Sequence, residues 1–314
     1  LDWPHMSMHV PEEIYELWNA HDKGASLQTN WDDKFANYAD QNPELAAKLL
    51  RLVNHELPAN YQAVADDLLH KSLTASAQAT RKASKNCITA FSECMPELIG
   101  GSADVSDSVN TLTANATAFG AQNPSGNYIH FGVREFAMAA IANGLALSNL
   151  RPFIGTYLVF SDYARSAIRM SALMQQPIIY ILSHDSIALG QDGPTHQPIE
   201  HIASLRLIPG LNVWRPADNF ETAIAWTESI SNTKQPSVLA LTRQTVPELN
   251  HTIEQANNIK KGGYCISDCS DPCATIIATG SEVELALEVA KTSNFKLRVV
   301  SMPCLEIFLA QDKK

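Results

Sequence analysis

From Thr80 onward, short apolar runs alternate with stretches in which apolar residues recur at helical spacing. Residues 81–95 (RKASKNCITAFSECM) read as a helix, 97–105 and 126–132 as strands, and 133–148 (VREFAMAAIANGLALS) as a helix apolar almost all round. Next come strand 151–160, helix 161–175, strand 176–184, a glycine-bearing loop, helix 199–207, strand 212–216, helix 220–230 and strand 237–243. Repeated βα units with near-continuously apolar strands predict an α/β fold, a doubly wound parallel sheet with helices on both faces. Ligands bind such sheets outside the carboxyl ends of the strands, which singles out residues 104–127, 184–197 and 243–250.

The flanks differ. Residues 1–75 read as a helical linker arm of irregular turns and short polar helices, one over Pro11–Trp18 and one capped by Asn42 with Pro43 in its first turn. Trp3, Trp18, Trp31, Phe35 and Tyr38 predict that this arm packs against something. After Pro247 the polar stretch 250–263 reads as a linker, followed by strand 273–281, helix 282–293 and strand 296–303. The division is therefore an arm (1–75), a complete α/β domain (76–250) and an incomplete second α/β unit (251–314). A lone βαβ unit cannot make a core of its own, and position 1 is Leu with the first Met at residue 6. A piece of a longer chain is the expectation.

Composition narrows the function classes. Of the 314 residues 45% are apolar and only 18% charged, against about 25% charged in ordinary soluble domains. That predicts a large buried interface. The formal charge is −10, without like-charge runs, so nucleic acid and anionic membranes are not expected as main partners. No stretch approaches the ~18 apolar residues of a membrane span and the N-terminus has no signal-peptide pattern, so a soluble, cytoplasmic protein is expected. Cys265, Cys269 and Cys273 match no zinc-binding spacing and are read, with Cys87, Cys94 and Cys304, as reduced thiols.

Chemistry concentrates in a few places. Glu135 opens a helix and is followed by the apolar run FAMAAIA. One reading is a carboxylate satisfying the helix N-terminus. The other is functional, since a carboxylate entering an apolar core holds or shares a proton more readily than one in water. The loop SHDSIALGQDGPTHQPIEH carries His184, Asp185, Asp192, His196, Glu200 and His201, in the position where α/β folds place acid–base or anion-binding groups. Its spacings suggest no metal cluster. Tyr157, Phe160 and Tyr163, three residues apart, either pack in the core or form a stacking wall for a planar heterocycle. Arg81, Arg243 and His184 are either solvated or salt-bridged side chains, the commoner case, or a grip for a phosphate. Asp192-Gly193 followed by Asn219 imitates a metal-diphosphate signature, but Gln191 replaces its first glycine, and neither G-x-x-x-x-G-K-S/T nor G-x-G-x-x-G is present.

The strings GGSADV, GNYIHFGVREFAM, LVFSDYAR, HDSIALGQDGPTHQPIEHIASLR, WRPAD and TGSEVELALEVA occur in this order. Together they closely resemble transketolases, thiamine diphosphate enzymes of the pentose phosphate pathway. The resemblance implies the linker, the pyrimidine-binding domain and the start of the C-terminal domain. It implies transfer of a two-carbon ketol unit from a ketose phosphate to an aldose phosphate. Under it, Glu135 holds the cofactor's aminopyrimidine, and Tyr157, Phe160 and Tyr163 surround that ring. His196 and Asp192 contact the donor's hydroxyls, while Arg81, Ser108, His184 and Arg243 clamp the sugar phosphate. Glu135 and His196 are the catalytic candidates, and no metal ligand is assigned to this chain. A divalent metal, Mg²⁺ or Ca²⁺, is expected on the N-terminal diphosphate-binding domain, which would come from the same or a second chain in a homodimer. Two departures stand out. The run Ser108-Val109-Asn110-Thr111 replaces the family's Ser-Asn-Leu-Thr, and Tyr157 replaces a frequent Phe. The alternatives are a catalytically silent partner-binding module, dihydroxyacetone synthase or deoxyxylulose-phosphate synthase.

Overall fold

The computed structural model describes residues 3–312; Leu1, Asp2, Lys313 and Lys314 lie outside the described residues. The chain divides into two units, one ending at Glu56 and one beginning at Leu57.

The first unit is helical: α1 (Glu12–Trp18), α2 (His21–Gln41) and α3 (Pro43–Val53), with α2 and α3 in mutual contact. The pattern reading missed α2, because its apolar positions are sparse. Within it Trp31 and Phe35, one turn apart, stack with centroids 5.1 Å apart. Asn42 does precede α3 with Pro43 in the first turn, but its side chain donates back to the Tyr38 carbonyl at 3.4 Å instead of capping α3. Leu27, Trp31, Leu45, Leu49 and Val53 remain exposed.

The second unit opens with α4 (Tyr61–Leu73) and α5 (Thr80–Cys94). It continues through β1 (Leu98–Ser102), α6 (Ser106–Val109), β2 (Tyr128–His130), α7 (Glu135–Leu147), β3 (Arg151–Tyr157), α8 (Ser161–Leu173) and β4 (Ile179–Ser183). Then follow α9 (His201–Arg206), β5 (Asn212–Trp214), α10 (Asn219–Ser231) and β6 (Ser237–Leu241). The six strands make one sheet, ordered β2-β1-β3-β4-β6-β5 and parallel throughout. Alternate residues of each strand serve opposite faces, as a two-residue period requires. In β4, Ile179 and Ile181 join a core with Phe91, Phe220 and Trp226 of α5 and α10, while Tyr180 and Leu182 join one with Met138, Ala139, Ala167 and Ile168 of α7 and α8. The expected two-faced α/β architecture is present.

The polar stretch after Pro247 is structured. It forms α11 (Ala256–Ile259), with Ile259 fully buried, and then β7 (Tyr264–Ser267). β8 (Ala274–Ala278), α12 (Glu282–Thr292), β9 (Leu297–Ser301) and α13 (Leu305–Leu309) complete the chain. β7 pairs antiparallel with β9, giving a three-stranded sheet ordered β7-β9-β8 where the pattern showed only two strands. A buried polar network joins this sheet to the main one. Glu221 of α10 accepts from the Tyr264 hydroxyl (2.9 Å), the Ser301 hydroxyl (2.6 Å) and the Ala217 amide (2.8 Å). His251 meets Asp218 at 2.9 Å beside it. No helix among the described residues is long and apolar enough to cross a membrane.

Candidate active site

β3 and β4 end side by side, with Tyr157 opposite Ser183. The residue after β4, His184, has φ +62°, the left-handed region that non-glycine residues rarely enter outside constrained sites. That turn lays its ring against Tyr157, with centroids 4.0 Å apart, and brings Nδ1 2.9 Å from the Ser183 hydroxyl. His184 is only 2% exposed. Burial pushes its pKa down to about 4, helped by the nearby Arg81, Arg243 and His196 against Asp192, so at neutral pH the ring is uncharged.

A wall of rings extends from there. The chain leaves β3 through a 3₁₀ turn, Leu158–Phe160, in which side chains three apart eclipse. Tyr157 stacks on Phe160 at 5.6 Å and Phe160 leans on Tyr163 at 5.9 Å. His196, from the loop after β4, stands edge-on to Tyr157 (5.7 Å) and Phe160 (5.3 Å). Gly190 and Gly193, both at positive φ, let this loop fold back over the strand ends.

Beside the wall, Arg243 Nε lies 3.2 Å from Asp192 Oδ2, and His184 Nε2 lies 3.9 Å from the same oxygen. Arg81, in the first turn of α5, donates through Nη1 to the Ser108 carbonyl. Its Nε is buried without a hydrogen-bond partner. Burial, and then the like charge of Arg243, lower the Arg81 pKa. Two guanidiniums drawn together, one with an idle donor, make a site that favours an anion. Ser108 thus contributes its backbone carbonyl to the cluster. Asp192 and Asn219 share no partner: Asn219 bonds Gln78, the Ser76 carbonyl and Glu248 instead.

Glu135 is the first residue of α7 and 8% exposed, and among the described residues its carboxylate has no hydrogen-bond or ion-pair partner. α7 follows β2 and α8 follows β3, the two strands flanking β1, so Glu135 and the aromatic wall start from the same sheet edge. Beyond Glu135, however, α7 leaves Phe136, Ile141 and Leu147 exposed, although its composition reads as fully buried.

The pattern reading gave no role to Arg215. Its Nε pairs with Asp185 Oδ2 at 2.8 Å, and its Nη1 donates to the Thr279 carbonyl at 3.2 Å and to Glu282. This ties the residue next to His184 to the loop before α12. An arginine inside the apolar run NVWRP was the available signal. The six cysteines are free.

Three family models match the chain. "Transketolase, pyrimidine binding domain" covers residues 76–248, "Transketolase-like TK C-terminal domain" covers 262–314, and "Transketolase, thiamine diphosphate binding domain" covers 1–58, within the stretch read as an arm. Transketolase 1 of Pasteurella multocida is 45% identical over 99% of this chain and 48% of its own length. The chain thus spans about half the length of the curated relatives it matches. Among solved structures, transketolase from Leishmania mexicana superposes with a TM-score of 0.87 at 40% identity, covering 97% of this chain and 45% of that one. A split-gene transketolase described as an inactive β4 tetramer matches at TM-score 0.58 and 26% identity, over 73% of each chain. With the pyrimidine-binding model alone spanning more than half of its residues, the chain belongs to the transketolase family.

Proposed function

We propose that this chain supplies the pyrimidine-binding side of a transketolase site that moves a two-carbon ketol unit from a ketose phosphate to an aldose phosphate. The observation that carries the reading is the unpartnered, buried Glu135 carboxylate at the sheet edge that also bears the Tyr157–Phe160–Tyr163 wall. A carboxylate and stacked rings fit an aminopyrimidine, which offers ring nitrogens to one and a π-face to the other. Thiamine diphosphate, when bound, supplies the nucleophilic carbon and the electron sink for exchanging the carbon–carbon bond.

The chain's own groups do the rest. Glu135 holds a proton at the pyrimidine ring nitrogen and so sets its tautomer. The aromatic wall fixes the plane of the ring. Arg81 and Arg243, with the uncharged His184 and the Ser108 region, grip the sugar phosphate. Asp192 and His196 contact the donor's hydroxyls, and His196 moves protons there. The divalent metal and diphosphate fall to the diphosphate-binding domain, on the same or a second chain. The exposed Val133, Phe136, Ile141 and Leu147 around α7 support a partner subunit, and a homodimer is the simplest symmetric arrangement. By this assignment the 314-residue chain alone turns over negligibly.

The test is Glu135→Gln in the full-length protein, in a coupled assay with thiamine diphosphate and Mg²⁺. Ketol transfer is expected to fall about 10²–10³-fold with the circular dichroism spectrum unchanged. Near-normal turnover would remove Glu135 from the mechanism.

A further inference from the structure

We infer that Arg215 is a positioning residue, through which the C-terminal α/β segment holds His184 in place for the substrate's phosphate. The inference rests on the phosphate-gripping role proposed above for His184 and adds what keeps that ring where it is.

Arg215 follows β5, at the edge of the main sheet, and the C-terminal segment grips it by backbone and side chain alike. Its amide donates to the Pro303 carbonyl (2.8 Å), and its carbonyl accepts from the Gly280 amide (3.0 Å) and the Thr279 hydroxyl (3.3 Å). Its Nη1 donates to the Thr279 carbonyl (3.2 Å) and to Glu282. Thr279, Gly280 and Glu282 follow β8, and Pro303 follows β9. With one end of the planar guanidinium so fixed, Nε is aimed at Asp185 Oδ2, 2.8 Å away.

Asp185 depends on that contact. It is buried, its Oδ1 has no partner, and Arg215 is the only side chain among the described residues that hydrogen-bonds it. On the backbone, the Asp185 amide donates to the Leu241 carbonyl at 3.2 Å, just past the Ser183–Leu241 pair that ends the β4–β6 ladder. His184 is thus clamped between a strand residue and an anchored aspartate. A φ of +62° at a residue with a Cβ persists only where the surroundings over-determine it, and Arg215 supplies the side-chain half of that restraint. Once released, His184 relaxes to an ordinary backbone conformation and carries its ring off Tyr157, away from Arg81, Asp192 and Arg243. The Phe160–Tyr163 part of the aromatic wall, built on the end of β3 and on α8, stays. The loss therefore falls on the phosphate end of the site.

The experiment uses the full-length protein with thiamine diphosphate and Mg²⁺. It compares wild type, Arg215→Met/Asp185→Asn and Glu282→Gln on a ketose phosphate donor and on the same ketose without its phosphate. Removing both charges of the buried pair keeps the fold, which a thermal melt checks. Glu282→Gln changes only a half-exposed carboxylate and carries the test by itself if the double variant melts early. KM for the phosphorylated donor should rise about tenfold in the double variant and about threefold in Glu282→Gln, with kcat nearly unchanged. KM for the unphosphorylated donor should not move. A merely structural role would instead lower kcat for both donors alike, through loss of folded enzyme. A crystal structure of the double variant should show His184 turned off Tyr157, a readout that needs no turnover. Absence of ketol transfer in wild type, with the ring displaced in the variant, would bring down the ketol reading and leave the positioning role standing. Equal KM changes for the two donors, or a ring still seated on Tyr157, would overturn the inference.

Discussion

His184 lies against Tyr157 with ring centroids 4.0 Å apart, held there by a left-handed backbone at the carboxyl end of β4. The contact joins the two halves of the site: Tyr157 opens the aromatic wall, and His184 borders the arginine–aspartate cluster. It also keeps an imidazole neutral among cations.

That neutrality has a pH signature. His184 has a folded pKa of about 4 against 6.5 in a free chain, so between these values the unfolded state takes up a proton that the folded state refuses. Stability should fall as pH drops from about 6.5 towards 4. Urea unfolding at pH 7, 6 and 5 should show this slope in wild type and a shallower one in His184→Gln. Parallel slopes would mean that the ring titrates normally.

Tyr157 can be split into ring and hydroxyl. Tyr157→Phe should leave stability nearly unchanged, because the stacks on Phe160 and His184 survive. Tyr157→Ala should cost about 3 kcal/mol, the scale of deleting a buried aromatic side chain. Equal losses in the two variants would assign the tyrosine's contribution to its hydroxyl.

Arg215→Met should destabilise the fold by about 3–5 kcal/mol, because it leaves the fully buried Asp185 carboxyl without its partner. Adding Asp185→Asn should recover much of that loss. Additive losses in a double-mutant cycle would show the pair to be uncoupled.

Gly280 tests the same junction from the other side. Its φ is +59° and an added Cβ would lie 2.8 Å from Arg215 Cγ. Gly280→Ala should therefore cost about 1–3 kcal/mol, measured by thermal or denaturant unfolding. A neutral outcome would mean that the Arg215 stem relaxes freely.

Glu248 predicts the opposite pH trend to His184. Burial, reinforced by Asp218 and opposed by His251, raises its pKa to about 7. Folding therefore favours its protonated form, a contribution fully present below about 4.5 and lost as pH rises through 7. In Glu248→Gln, stability should decline less between pH 5 and 8 than in wild type. An identical profile would place the titration on another group.

The sequence by itself determined the architecture of residues 80–243, because near-continuously apolar strands alternating with helical spacing leave few arrangements besides a parallel sheet covered on both faces. It also determined where to look, since such sheets bind ligands at one edge, and the strings around Glu135 and Asp192 carried the family. It did not reveal β7 or α11. Each is only four residues long, too short to show a period, and acquires a role only when Tyr264 meets Glu221 and when Ala256 and Ile259 enter the core beside α10, distant in sequence. Nor could periodicity show that α7 exposes one apolar face, since a helix apolar all round looks the same whether buried by its own chain or by another. Tertiary structure alone decided that Arg215 anchors Asp185 and that His184 turns onto Tyr157. Each is a contact between residues distant or differently oriented along the chain, set by where strands end and which way the backbone turns there.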